Sequence, residues 1–172
     1  MSFIELAKAR YSVRSFSDKA IEAEKLEKIL QAGRIAPTAK NMHPEKVYVL
    51  QSEEAMNKAR ELTRCTYGAP ALLLVCYDEE RAWHSNTRPG YISGEMDASI
   101  VTTHMMLQAW ELGIGSCWVG LFNDKEVSQA FNLPENIKPV ILMPIGYPAE
   151  DCTPREGMHL SPRPEDETIA YL

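Results

Sequence analysis

The chain has no apolar run long enough to span a membrane and no continuous apolar core before its first charged residues. Neither a transmembrane helix nor a secretory leader is therefore expected. It has no excess of positive charge: the net charge is −6. That argues against broad nucleic-acid binding and leaves room for one local basic pocket. Cysteine is sparse. Cys65, Cys76, Cys117 and Cys152 include no C-x-x-C pair, and no His/Cys cluster has zinc-ligand spacing. Reduced thiols in a cytoplasmic protein are the expected state. Also missing are G-x-G-x-x-G and the P-loop sequence. Any phosphate bound here must be held by side chains.

What is present is an ordinary globular composition. The 172 residues are 45% hydrophobic and 24% charged, enough for one domain over 1–172 with a sizeable core. Apolar spacing predicts helices over 3–10, 22–35, 53–63, 95–112 and 124–131. Short apolar runs at 47–50, 70–77, 116–120 and 140–145 read as strands. The 70–77 run, PALLLVCY, suits a strand covered on both faces. The 95–112 segment carries apolar residues on more than one face, as a central core helix does. Residues 78–94, about 17 of them, form a polar and aromatic loop around Pro89-Gly90, long enough to act as a lid. From Tyr147 onward, Pro148, Pro154, Pro162 and Pro164 exclude a regular helix. The 148–172 tail is expected to run extended across a surface, a partner's included. Helices alternating with strands indicate an α/β or α+β domain.

Four segments could carry chemistry. Arg10-Tyr11-Ser12-Val13-Arg14 places two guanidiniums around a hydroxyl. Arginine forks match phosphate oxygens in pairs, and in an extended segment Arg10, Ser12 and Arg14 would face one way. The same three could equally be surface groups in a turn after a helix. Pro37-Thr38-Ala39-Lys40-Asn41-Met42-His43-Pro44 is a polar loop between prolines. Asn41 offers donors and acceptors for a heterocycle edge, and Lys40 adds positive charge. A helix-ending loop with nothing bound is the alternative. Residues 113–120, GIGSCWVG, set glycines around a short strand, where backbone could approach a flat ligand. A cap, a strand and a turn would read the same. In the tail, Arg155 or Arg163 could close over the same phosphate, or both could be solvated. Glu95 and Asp97 suit the acidic first turn of a helix, and His104 suits a hydrogen-bonded core position. No Ser/His/Asp or Cys/His arrangement and no acid–base pair stands out, so no catalytic side chain is assigned. Chemistry on a bound cofactor is the economical alternative.

In order and spacing, these segments resemble the nitroreductase family of FMN-dependent oxidoreductases, in its shorter members. The matching text is RYSVRSFSDKAIEAEKLEKILQAGRIAPTAKNMHP, GEMDASIVTTHMMLQAWELGIGSCWVG, PVILMPIGYPAED and the tail around SPRP. The resemblance implies an α+β fold: a central, mostly antiparallel sheet surrounded by helices. It further implies an extended C-terminal tail in an intertwined homodimer, with FMN at the subunit interface. It places Arg10, Tyr11, Ser12 and Arg14 at the phosphate and ribityl end, and Arg163 rather than Arg155 as the tail's phosphate ligand. Pro37, Thr38, Lys40 and Asn41 would reach the flavin from the partner subunit. Asn41 would orient the ring, and Lys40 would stabilise negative charge on it when reduced. Cys117, Trp118, Val119 and Gly120 match the segment beside the isoalloxazine. NAD(P)H is implied as transient hydride donor. A nitroaromatic, a quinone or a similar electron-poor small molecule is implied as acceptor.

The chain departs from that family in the 37–45 loop. Where a glutamine often precedes the proline, His43 stands before Pro44, and where an aromatic often follows, the residue is Glu45. His43, with Trp83 and Tyr91 of the 78–94 loop, is the candidate substrate-binding set. Two other readings share the cofactor. One is a specialised flavin reaction, such as reductive dehalogenation or flavin fragmentation, beneath that loop. The other is a flavin-binding protein without turnover.

Overall fold

The computed structural model describes residues 2–172. Its first helix, α1 (Phe3–Ala9), opens on a reciprocal cap: the Glu5 amide donates to the Ser2 hydroxyl and the Ser2 amide to the Glu5 carboxylate. Four antiparallel strands form one sheet in the order β1-β2-β4-β3. They are β1 (Glu45–Leu50), β2 (Ala71–Asp78), β3 (Gly115–Ser116) and β4 (Ile137–Gly146). Helices cover both faces, giving the α+β architecture that the resemblance implied.

β2 runs through the middle and is buried along almost its whole length. Its side chains alternate between two cores. Leu73 and Val75 join Ile141 and Met143 beneath α2 (Ala23–Arg34) and α4 (Gly94–Glu111). Leu72, Leu74 and Cys76 join Leu142 beneath α3 (Glu53–Leu62) and α5 (Asp124–Ala130). Cover on both faces explains why this strand has no polar alternation. α4 is the central helix, with Ala98, Val101, Met105 and Ala109 fully buried. α2 approaches it at Gly33, where an added Cβ would lie 2.8 Å from Met105 Cγ.

The strand expected at 116–120 is shorter than the sequence suggests. β3 ends at Ser116, which pairs with Ile145. In that register the next partner of the chain is Pro144, which accepts from the Cys117 amide at 3.2 Å but has no N–H to return. Only Val119 re-joins, exchanging backbone bonds with Leu142. The long 78–94 loop is tied internally by a bridge between His84 and Ile92. His104 lies half-buried on α4, with Nδ1 2.9 Å from the Ile100 carbonyl, rather than in the core. The tail is largely exposed and holds one short helix, α6 (Glu165–Thr168). No helix among the described residues is long and apolar enough to cross a membrane.

Candidate functional site

Arg10 closes α1 in an extended conformation, at φ −66° and ψ 134°. The residues after it extend the sheet edge. Ser12 bridges Ser116 in parallel, and the Val13 amide donates to the Ser116 carbonyl at 2.9 Å. Val13 turns inward and is fully buried. It packs on Gly115, where a Cβ would come within 2.5 Å of Val13 Cγ2. This glycine thus makes room for a neighbouring strand, not for a ligand. With Val13 inward, strand alternation sends Ser12 and Arg14 the other way.

Arg10, Ser12 and Arg14 line one cavity of about 140 Å³, and Arg155 joins them from the tail. None of the three guanidiniums pairs with a carboxylate among the described residues. Three unpaired guanidiniums and a hydroxyl on one small concavity suit an anion with several oxygens. The volume fits a phosphate group and falls below the roughly 300–1,000 Å³ of a complete small-molecule pocket. Tyr11 holds the tail over this cavity. Its hydroxyl donates to the Cys152 carbonyl at 2.9 Å, and its ring stands 6.2 Å from His159 and 5.0 Å from Trp110. Arg155 lies between those two ties. Burial, more than any other influence, pushes the Tyr11 hydroxyl above its ordinary pKa. Arg163 sits on the exposed tail and does not line this cavity.

Cys117 to Gly120 follow at the same edge. The Cys117 and Val119 side chains enter the core, whereas Trp118 and Gly120 face outward. Burial pushes the Cys117 thiol up in pKa, and the nearby Arg14 guanidinium opposes that shift. The amides of Cys117 and Val119 return to β4. Those of Trp118 and Gly120 have no acceptor among the described residues, which leaves two donors on an open edge.

The other predicted residues form a second group. The Thr38 carbonyl accepts from the Asn41 amide at 2.9 Å, and the Thr38 hydroxyl accepts from the His43 amide at 3.0 Å. Lys40, Asn41 and His43 all have positive φ, at 50°, 57° and 47°. For residues other than glycine that conformation costs about 1–3 kcal/mol each and persists only where the surroundings impose it. His43 places Nε2 3.0 Å from Asn41 Oδ1 and Nδ1 3.2 Å from Glu45 Oε1. Lys40 lies 5.8 Å from the Trp83 ring, Trp83 meets Tyr91 edge-on at 6.1 Å, and Arg88 covers Tyr91 at 4.1 Å. Pro37 is exposed beside them.

The predicted residues therefore gather in two places. Arg10, Tyr11, Ser12 and Arg14 share one cavity; Lys40, Trp83 and Tyr91 share one wall that does not line it. Two residues gain weight from the structure. Arg155 lies in a tail without periodicity, so only its charge marked it. Asp97 is the helix-start acid that the sequence suggests, and it is also fully buried and accepts the Ala39 amide at 2.8 Å.

The fold and site define an α+β domain with an arginine-lined cavity at its sheet edge. The chain belongs to the nitroreductase family: it matches the sequence model described as "Nitroreductase family" over residues 7–67 and 63–147. It is 30% identical over 165 residues to a protein of Methanothermobacter thermautotrophicus named as an NADH dehydrogenase/NAD(P)H nitroreductase. That match spans 91% of this chain and 82% of the relative. A solved nitroreductase family protein from Clostridium difficile 630 superposes with a TM-score of 0.92 at 40% identity, covering 99% of this chain and 98% of that one. An FMN-dependent nitroreductase from Clostridium difficile R20291 gives 0.78 at 26% identity, covering 98% of each chain.

Proposed function

We propose that the chain is an FMN-dependent NAD(P)H oxidoreductase working as a homodimer. The observation that carries this reading is the division of the candidate residues into two half-sites. One is a three-arginine cavity large enough for a phosphate group. The other is the Lys40–Trp83–Tyr91 wall. A second copy placing its wall beside the first copy's cavity would assemble a full site.

The residues present fit the cofactor. Arg10, Ser12, Arg14 and Arg155 would hold the phosphate. The free amides of Trp118 and Gly120 would meet ring heteroatoms. Lys40 and Asn41 of the partner subunit would face the ring from the other side. When bound, FMN supplies two-electron chemistry: a hydride from NAD(P)H in, and electrons out to a nitroaromatic, a quinone or a similar acceptor. The protein's part is to orient the ring, exclude water and stabilise negative charge with Lys40. His43, Trp83 and Tyr91 would contact the acceptor.

Binding of FMN and of riboflavin, followed by fluorescence quenching, tests the site. Arg14→Ala should weaken FMN about tenfold to a hundredfold, because a hydrogen bond to a charged group contributes about 1.5–3 kcal/mol. Riboflavin, which lacks the phosphate, should bind the variant and the original chain alike. Equal losses for both ligands would remove the phosphate assignment.

A further inference from the structure

Two side chains at the start of α4 are fully buried and polar: Ser93 and Asp97. Asp97 Oδ1 accepts the Ala39 amide at 2.8 Å, and Oδ2 accepts the Ser93 hydroxyl at 2.7 Å. The Ser93 oxygen accepts the Trp83 amide at 3.1 Å, and the Ser93 amide donates to the Trp83 carbonyl at 2.9 Å. One carboxylate and one hydroxyl thus join three separate parts of the chain: the 37–43 loop, the 79–93 loop and α4. Asp97 makes no ion pair among the described residues. Its charge is met instead by these donors and by the positive end of an 18-residue helix. An anion buried in this way is costly unless each oxygen is bonded, so the contact is selective for the loop arrangement seen.

The consequence falls on the residues next to Ala39 and Trp83. Ala39 precedes Lys40 and Asn41, whose left-handed backbone must be imposed from outside. Trp83 is the ring that Lys40 faces at 5.8 Å and that Tyr91 meets edge-on. We propose that Asp97 is a positioning residue: with Ser93 it locks the 37–43 loop to the 79–93 loop, and so sets the Lys40–Trp83 wall against which a planar aromatic acceptor rests. The role of that wall rests on the flavin enzyme reading above; the lock itself does not.

The test uses the full chain, with and without FMN. Amide exchange at Ala39 reads one side of the lock, and the 19F resonance of fluorotryptophan at Trp83, assigned with Trp83→Phe, reads the other. Asp97→Ala should abolish protection at Ala39 and shift the Trp83 resonance. With FMN bound, its KM for 1,4-naphthoquinone should rise about tenfold, the effect of one lost buried hydrogen bond. Turnover with ferricyanide, which needs no aromatic wall, should change by a smaller factor. Asp97→Asn keeps one acceptor oxygen and should restore the Ala39 protection. Should Asp97→Ala fail to fold, Ser93→Ala gives the same decision: the Trp83 resonance moves while Ala39 stays protected. Unchanged exchange and an unchanged Trp83 resonance in a folded variant would overturn the lock. Equal losses with naphthoquinone and ferricyanide would overturn its link to the acceptor. A chain that takes up no FMN would sink the flavin reading alone, because the exchange and 19F measurements need no cofactor.

Discussion

Arg10, Arg14 and Arg155 stand on one small cavity in a chain whose net charge is −6. Any attraction for an anion is therefore local, set by guanidiniums that pair with no carboxylate among the described residues. It separates the two tail arginines. Arg155→Ala should weaken FMN by about tenfold or more, the cost of a charge-assisted bond, whereas Arg163→Ala should change it less than about twofold, as expected for an exposed charge. A binding titration decides between them, and a larger loss at Arg163 would move the ligand to that residue. The Arg10–Arg14 motif was legible in the sequence because strand alternation alone converges its side chains. Which tail arginine lines that cavity was not, because the ties at Cys152 and His159 that place Arg155 come from side chains remote in sequence. Cysteine reactivity is also set at this scale. Burial pushes the Cys76 thiol up to about 12, so at pH 8 it carries almost no thiolate. Native alkylation read by mass spectrometry should modify the half-buried Cys65 and Cys152 and spare Cys76. Rapid labelling of Cys76 would contradict the packing around β2.

Between elements, the α2–α4 contact depends on Gly33. A methyl group there meets Met105 Cγ at 2.8 Å and Val101 Cγ1 at 3.2 Å. Gly33→Ala should destabilise the fold by about 1–3 kcal/mol, the usual effect of overpacking, despite the better helix propensity of alanine. Urea unfolding measures it, and a stabilised variant would mean that the helices can separate at no cost. A polar tie joins the start of α2 to the end of the sheet. The Tyr147 hydroxyl donates to Glu22 Oε2 at 2.6 Å and accepts from Lys25 Nζ at 2.7 Å. That hydroxyl, first among several influences, lowers the Glu22 carboxyl to about 2 from an ordinary 4.5. A lowered carboxyl stabilises the fold above its unfolded pKa and loses that effect as pH falls through the folded one. The contribution is thus present above about 4.5 and fades towards 2. Tyr147→Phe should flatten the pH dependence of the urea midpoint in that window; an unchanged slope would mean the tie does not survive in solution. Helix positions were readable from apolar spacing. The 116–120 strand was misread because an apolar run does not reveal that its partner across the sheet is Pro144, which cannot return a hydrogen bond. Asp97 does lie in the first turn of α4 as the sequence suggests, but its partner was not readable: an acid in a first turn looks alike whether it faces water or, as here, a loop nearly sixty residues away.

For the whole molecule, what the single chain leaves uncovered matters most. Phe3, Ile4, Ile35, Met158, Leu160, Tyr171 and Leu172 are all exposed, and an apolar groove of about 400 Å³ runs between α1 and α4 past Phe3, Leu6, Ile35 and Leu107. These exposed apolar groups suit the dimer interface proposed above. Light scattering should give a dimer mass, and deletion of residues 152–172 should yield a monomer that no longer retains FMN. A full-length monomer that holds FMN tightly would contradict the divided site.

The most direct measurement is anaerobic stopped-flow mixing of the FMN-loaded protein with NADH and with NADPH. Flavin absorbance should bleach rapidly with at least one of them and return when an electron-poor acceptor such as a quinone is added. A protein that stays yellow with both nucleotides, or that binds no flavin at all, would contradict the account.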